Sequence, residues 1–283
     1  MLCENFFLMC DEEFDLFGLK KVPPLISQIE SGNFNEDTLR NLRNLCAKGR
    51  ETQDLILNSL PEAFFEQMMA NDNKYLVAFL QLCNNLCVQN EISQKKLFPL
   101  ISSKFAEIKW DVKTATAALM FTVTCTQPES EMREKLDLKL IEPFLNLPDD
   151  DELEFYIITL LPKMAVEAMD YAFDHKDITF LMLDRIHDAL EHQPELFDHK
   201  AFIPKLLSYI KMDRLPIHQT KSKVMGIFAA FVGCSERARR EALAENAIDI
   251  IMKTKKIDVN EPTLLEWSTA ALRFLQGDED TEC

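Results

Sequence analysis

The feature of this sequence that most restricts its fold is a string that returns. Asn44-Leu45-Cys46 is followed by Gln53, and Asn85-Leu86-Cys87 by Gln94, with the same internal spacing and 41 residues between the copies. Val123-Thr124-Cys125 follows 38 residues later as a looser third copy. The copies lie in runs whose apolar residues recur at helical spacing. Leu76, Phe79, Leu80, Cys83, Leu86 and Cys87, for example, make one wide stripe on a helix. Strand signals are weak: few runs alternate apolar with polar residues, and no Asn-Gly or Asp-Gly hairpin turn occurs.

Proline punctuates the same period. Val22-Pro23-Pro24, Leu60-Pro61, Phe98-Pro99, Glu142-Pro143 and Ile203-Pro204 read as helix starts, because proline at the first helical position loses no hydrogen bond. Later units are looser: Ile178–Leu190 with Pro194 and Ile203-Pro204, then Val224–Phe231, a break around Gly233, Ala238–Leu243 and Ile248–Met252, and a last long helix over Glu261–Leu275. The 150–175 stretch fits worst and reads as an acidic loop, Asp149-Asp150-Asp151-Glu152, followed by an irregular helical unit. A period of about 40 residues with three helices per unit is the armadillo pattern. No such unit covers its own apolar face, so units stack. The expected fold is all-α, an armadillo-like right-handed α–α superhelix of about six repeats in a single domain over 1–283.

Composition narrows the function. Only 6 Gly in 283 residues argues against a compact α/β enzyme with glycine-rich phosphate loops. A formal charge of −16 repels nucleic acid and anionic lipid, so neither is an expected partner. The 8 Cys sit mostly inside apolar runs, as buried small hydrophobes do, which fits a reducing, cytoplasmic setting. No stretch approaches the ~20 apolar residues of a membrane span. The start, Met1-Leu2-Cys3-Glu4-Asn5, lacks a basic region, turns acidic at Asp11, Glu12 and Glu13, and does not read as a secretory signal.

Candidate chemistry is sparse. Cys83 and Cys87, at i and i+4, could present two thiolates to a metal, but no second pair or His-x3-His lies near, and core packing is the simpler reading. Of His175, His187, His192, His199 and His218, three cluster loosely with Glu191, Glu195 and Asp198 near a helix end, as solvated surface histidines do. Arg237, Arg239 and Arg240 with Lys253, Lys255 and Lys256 form a basic island that could bind an acidic peptide or balance Glu236, Glu241 and Glu245. G-x-S-x-G, G-x-G-x-x-G, P-loop and H-E-x-x-H strings are absent. No cofactor, metal or catalytic residue is expected.

Two sets of residues are candidates for partner binding. Asn44 and Asn85 hold equivalent places, with Arg40 and Gln81 one turn earlier, and could clamp an extended peptide, although the ladder lapses at Val123. The alternative is a contact that caps the neighbouring unit. The last helix carries Leu264, Trp267 and Phe274 on more than one face. It could pack inward on the preceding unit and offer an outer side to another chain, or bury Trp267 as core.

The C-terminal run Asp258-Val259-Asn260-Glu261-Pro262-Thr263-Leu264-Leu265-Glu266-Trp267-Ser268-Thr269-Ala270-Ala271-Leu272-Arg273-Phe274-Leu275 resembles the C-terminal segment of the ataxin-10 family, here taken over 258–276. Asn260, Pro262, Glu266, Trp267, Ala271, Leu272, Arg273 and Leu275 match that segment, and Phe274 replaces its usual Asn. The resemblance implies a cytoplasmic adaptor without catalytic residues, linked to cytokinesis and signalling. It also implies self-association and protein partners such as O-GlcNAc transferase, a G-protein β subunit and mitotic kinases. The favoured expectation is therefore a non-catalytic protein-binding scaffold. The alternatives are a regulator of another enzyme, such as a chaperone nucleotide-exchange factor or a GTPase effector, and an enzyme on a helical scaffold.

Overall fold

The structure is a computed structural model that describes residues 18–71, 73–212, 215, 219–257 and 261–277. Every regular element among them is a helix. The first unit, Met1–Leu153, contains α1 (Val22–Glu30), α2 (Glu36–Cys46), α3 (Arg50–Ser59), α4 (Glu62–Met68), α5 (Leu76–Cys87), α6 (Glu91–Ser102), α7 (Val112–Cys125) and the short α8 (Leu138–Ile141). The division from the second unit, Glu154–Cys283, falls within α9 (Asp151–Leu160). The second unit continues with α10 (Ala165–Asp174), α11 (Thr179–His192), α12 (His199–Lys211), α13 (Thr220–Cys234), α14 (Glu236–Ala244), α15 (Ala247–Ile257) and α16 (Pro262–Gln276).

In the first unit the long helices pack in chain order, α2 on α5 and α5 on α7, with α3 and α6 against them. The stripe expected on α5 is the core: Leu76, Phe79, Leu80, Cys83, Leu86 and Cys87 are all buried. They meet Leu39, Leu42 and Cys46 of α2 and Leu119, Phe121 and Cys125 of α7 in one apolar layer. The second unit is built the same way, with α11 on α13, α13 on α16, and α12, α14 and α15 alongside.

Helix starts are fixed by side chains that satisfy the first free N–H groups. Asn35 and Asp111 form capping boxes with Thr38 and Thr114. Asn90 accepts from the Ser93 N–H, and Ser235 from that of Ala238. Proline behaves as expected at Pro23, Pro24 and Pro262, which lie in first turns. Pro61 caps α4, and Pro143 opens a 3-10 turn, Glu142–Phe144. Pro99 and Pro204 depart from expectation and stand inside α6 and α12. Each removes one backbone bond there, and the helix continues because the flanking Leu97, Phe98 and Ile101, or Ile203, Leu206 and Leu207, are buried. The break expected around Gly233 comes at Ser235, between α13 and α14. The 150–175 stretch is helical and irregular, α9 passing through a 3-10 turn at Leu161–Met164 into α10. No helix among the described residues is long and apolar enough to cross a membrane.

Candidate functional site

The polar residues of the repeat string form links from one set of helices to the next. Gln53 on α3 is buried; its Nε2 donates to the backbone oxygens of Asn85 at 2.8 Å and Val88 at 3.2 Å, at the C-terminal end of α5. Gln94 on α6 repeats this, its Nε2 donating to Cys87 O at 2.9 Å and Thr124 O at 3.4 Å, the latter near the end of α7. Each glutamine oxygen accepts in turn from an N-cap residue further along the chain. Asn90 donates to Gln53 at 3.3 Å, and Ser130 to Gln94 at 3.3 Å.

This geometry revises the reading of the asparagine ladder. Asn85 donates to Arg43 O at 3.2 Å, and Gln81 Oε1 accepts from Arg43 Nη1 at 2.7 Å, so both are engaged in packing α5 against α2. They serve as contacts between neighbouring units. Asn44 is exposed and accepts from Arg43, while exposed Arg40 pairs with Glu36 at 2.6 Å one turn back. Asn44, Gln81 and Asn85 thus meet at Arg43, while Arg40 is held by Glu36. Arg43, just before the recurring Asn-Leu-Cys string, is the linking residue. Its repeat equivalent Asn84 accepts from Thr124 Oγ1 at 2.7 Å.

Cys46, Cys83, Cys87 and Cys125 are buried. Burial pushes the Cys46 thiol up to about 12 and also raises those of Cys83 and Cys87 well above the usual thiol value, which favours the thiol over the thiolate a metal needs. His175 stacks on Tyr171 with ring centroids 3.8 Å apart, His192 Nδ1 lies 2.7 Å from Asp188 O, and His199 is half-buried in the first turn of α12. In the basic island Arg240 pairs with Glu236, Arg239 Nε donates to Val232 O, and Lys255 donates to Thr269 at 2.9 Å. His218 and Asn260, singled out in the sequence, lie outside the described residues, as do Asp258 and Val259.

A concave surface of the second unit lies across α11, α13 and α16, with Trp267 lining it. Gly226 and Gly233, seven residues apart on α13, face Trp267 and Phe274, seven apart on α16. A Cβ at Gly226 would meet the indole Cε2 at 3.3 Å, and one at Gly233 would meet Phe274 Cε2 at 3.0 Å. Both rings therefore lie directly over the glycine backbone. Leu264 is fully buried, which removes it from the residues available to a second chain. Trp267 and Phe274 are half-buried: they pack inward on α13 and do not point away from it.

Trp267 borders two adjacent cavities. One, of about 640 Å³, is lined by Phe180, Lys223, Glu261, Pro262 and Thr263 among others; the second, of about 210 Å³, by Leu183, Asp184, His187, Gly226 and Ile227. Lys223 pairs with Asp184 and leans over the Phe180 ring, 5.9 Å from its centroid. Further along α11, His187, Asp188 and Glu191 hold their ligand atoms within 4.8 Å of one another. All three come from a single turn, and among the described residues no further His, Cys, Asp or Glu joins them, so a closed four-ligand shell is not built. The Asp188 carboxyl is raised above its usual range, first by burial and then by Glu191, Asp184 and Glu154, against the opposing effect of His187. Glu191 Oε1 lies 3.7 Å from His187 Nδ1, and His187 lines the smaller cavity. Comparison with family models, curated proteins and solved structures finds no match to this chain.

Proposed function

We propose that the chain is a non-catalytic adaptor of the armadillo type, whose stacked helical units present a groove to protein partners. Links between residues about forty apart support the stacking. Arg43 reaches Gln81 across 38 positions, Asn84 reaches Thr124 across 40, Tyr209 reaches Asp170 across 39, and Lys223 reaches Asp184 across 39. Separations of 38 to 40 residues are what each unit bonding to the next would produce. The C-terminal match, with Ala271, Leu272 and Leu275 buried and Trp267 laid on Gly226, supports placing the chain beside the ataxin-10 family in a cytoplasmic role.

The observation that carries the binding role is Trp267 itself: a large ring packed on Gly226 and bordering two cavities. Interface energy concentrates in such aromatic anchors. Proximity labelling with the wild-type chain and with Trp267→Ser tests the reading. Partners lost from the variant, with its helical circular dichroism unchanged, support the groove. An identical partner set in both would remove it. The partners that the family resemblance names are the first to look for in that set.

A further inference from the structure

We propose that the groove around Trp267 receives a lysine- or arginine-bearing segment of another protein. This rests on the adaptor reading and adds the chemistry of the partner.

The groove combines an apolar floor with an acidic rim. The floor is the Trp267 ring over Gly226, with Leu183 and Ile227 beside it. Glu261 stands on the rim of the larger cavity, and Asp188 and Glu191 stand on α11 beside His187. Long cationic side chains match this arrangement. Their methylene stems cover apolar surface while the charged head seeks carboxylate or an aromatic face. The Lys223 ammonium already shows the mode inside the groove, paired to Asp184 and inclined over Phe180. Asp184 is thus paired from within, whereas Glu261 on the rim, with Asp188 and Glu191 beside His187 on the adjoining part of α11, supplies carboxylates for an incoming cation. The smaller cavity, about 210 Å³, has room for one long side chain, and the larger for the residues that flank it. The formal charge of −16 adds long-range attraction for a basic segment and repels an acidic one.

The probe is a capped decapeptide of Lys, Arg and Leu, alongside a counterpart with Glu at every Lys and Arg. Binding to the full chain is read from Trp267 emission, taken as the difference from Trp267→Phe. The cationic peptide should shift that emission saturably and the Glu peptide should not. Asp188→Asn/Glu191→Gln/Glu261→Gln should weaken binding at least tenfold. Glu51→Gln/Glu62→Gln/Glu66→Gln, an equal loss of charge on exposed positions of α3 and α4, should change it less than twofold. Equal weakening in both variants would assign the attraction to overall charge and overturn the proposal. Equal binding of the Glu peptide would overturn the partner chemistry while leaving the groove as a binding surface. Absence of a saturable shift with the cationic peptide would overturn the proposal outright, and the labelling comparison with Trp267→Ser still decides the adaptor reading separately.

Discussion

Gly226 lies beneath the indole of Trp267 so closely that a Cβ in its place would stand 3.3 Å from Cε2 and 3.4 Å from Nε1. Gly226→Ala gains about 1 kcal/mol of helix propensity and displaces the ring by a few tenths of an ångström toward the open cavities. The two effects offset, so the melting temperature should hold within a few degrees while Trp267 emission moves to the red. Gly226→Leu cannot be accommodated by so small a movement and should destabilise by about 1–3 kcal/mol. A marked loss of stability in the alanine variant would mean that the ring is fixed on its outer side as well.

Gln53 and Gln94 should behave as equivalents. Gln94→Leu leaves the oxygens of Cys87 and Thr124 without their side-chain amide donor and removes one of the two acceptors near the Ser130 hydroxyl, the other being Cys125 O. Gln53→Leu does the same to Asn85, Val88 and Asn90. Each should cost about 1–3 kcal/mol, measured by urea unfolding, with helical content preserved. A surface position such as exposed Gln67, changed to Leu, should shift stability by no more than about 0.5 kcal/mol.

These two glutamines also show how far the sequence is legible. Their spacing from Asn-Leu-Cys marks the period, but a period reports recurrence without saying which atoms meet. Arg43 escaped notice because its repeat equivalent is Asn84, a different residue type holding the same bridging place. The apolar stripe of α5 was readable because its six members recur at spacings of one and three, although burial of Ala78 and Leu82 extends the apolar surface beyond that stripe. On α16 several faces carry apolar or small residues, so Leu264 could not be told from Trp267 as the buried member. Gly226 and Gly233 held the missing signal. Two glycines seven apart inside an apolar helix mark a face where another element approaches closely.

Arg185 is 2% exposed and held by Glu154 through bonds of 2.7 to 3.0 Å from Nε and Nη2. Such a pair is costly to break from one side, because the remaining charge stays buried. Glu154→Ala should lose about 3–5 kcal/mol in chemical denaturation. Arg185→Met/Glu154→Gln removes both charges together and should lose clearly less than the single variant. Equal losses would show that packing of the arginine stem, and not its charge, holds α9 to α11.

Asp188 gives a pH dependence of defined sign. Its folded-state pKa lies above the ordinary carboxylate value, chiefly through burial. The folded chain therefore holds more protons at this position than the unfolded chain between those two values. The contribution of Asp188 to stability must fall as pH rises through that window and stay low at neutrality. Asp188→Asn, which is uncharged and nearly isosteric, should melt higher than wild type at pH 7. The advantage should shrink as pH falls through the window and vanish once the carboxyl is protonated in both states. Thermal melts of the two proteins from pH 3 to pH 7 read this directly. An asparagine variant that melts lower at pH 7 would show that the carboxylate is held by a favourable contact that outweighs its burial and the repulsion of Glu191, Asp184 and Glu154.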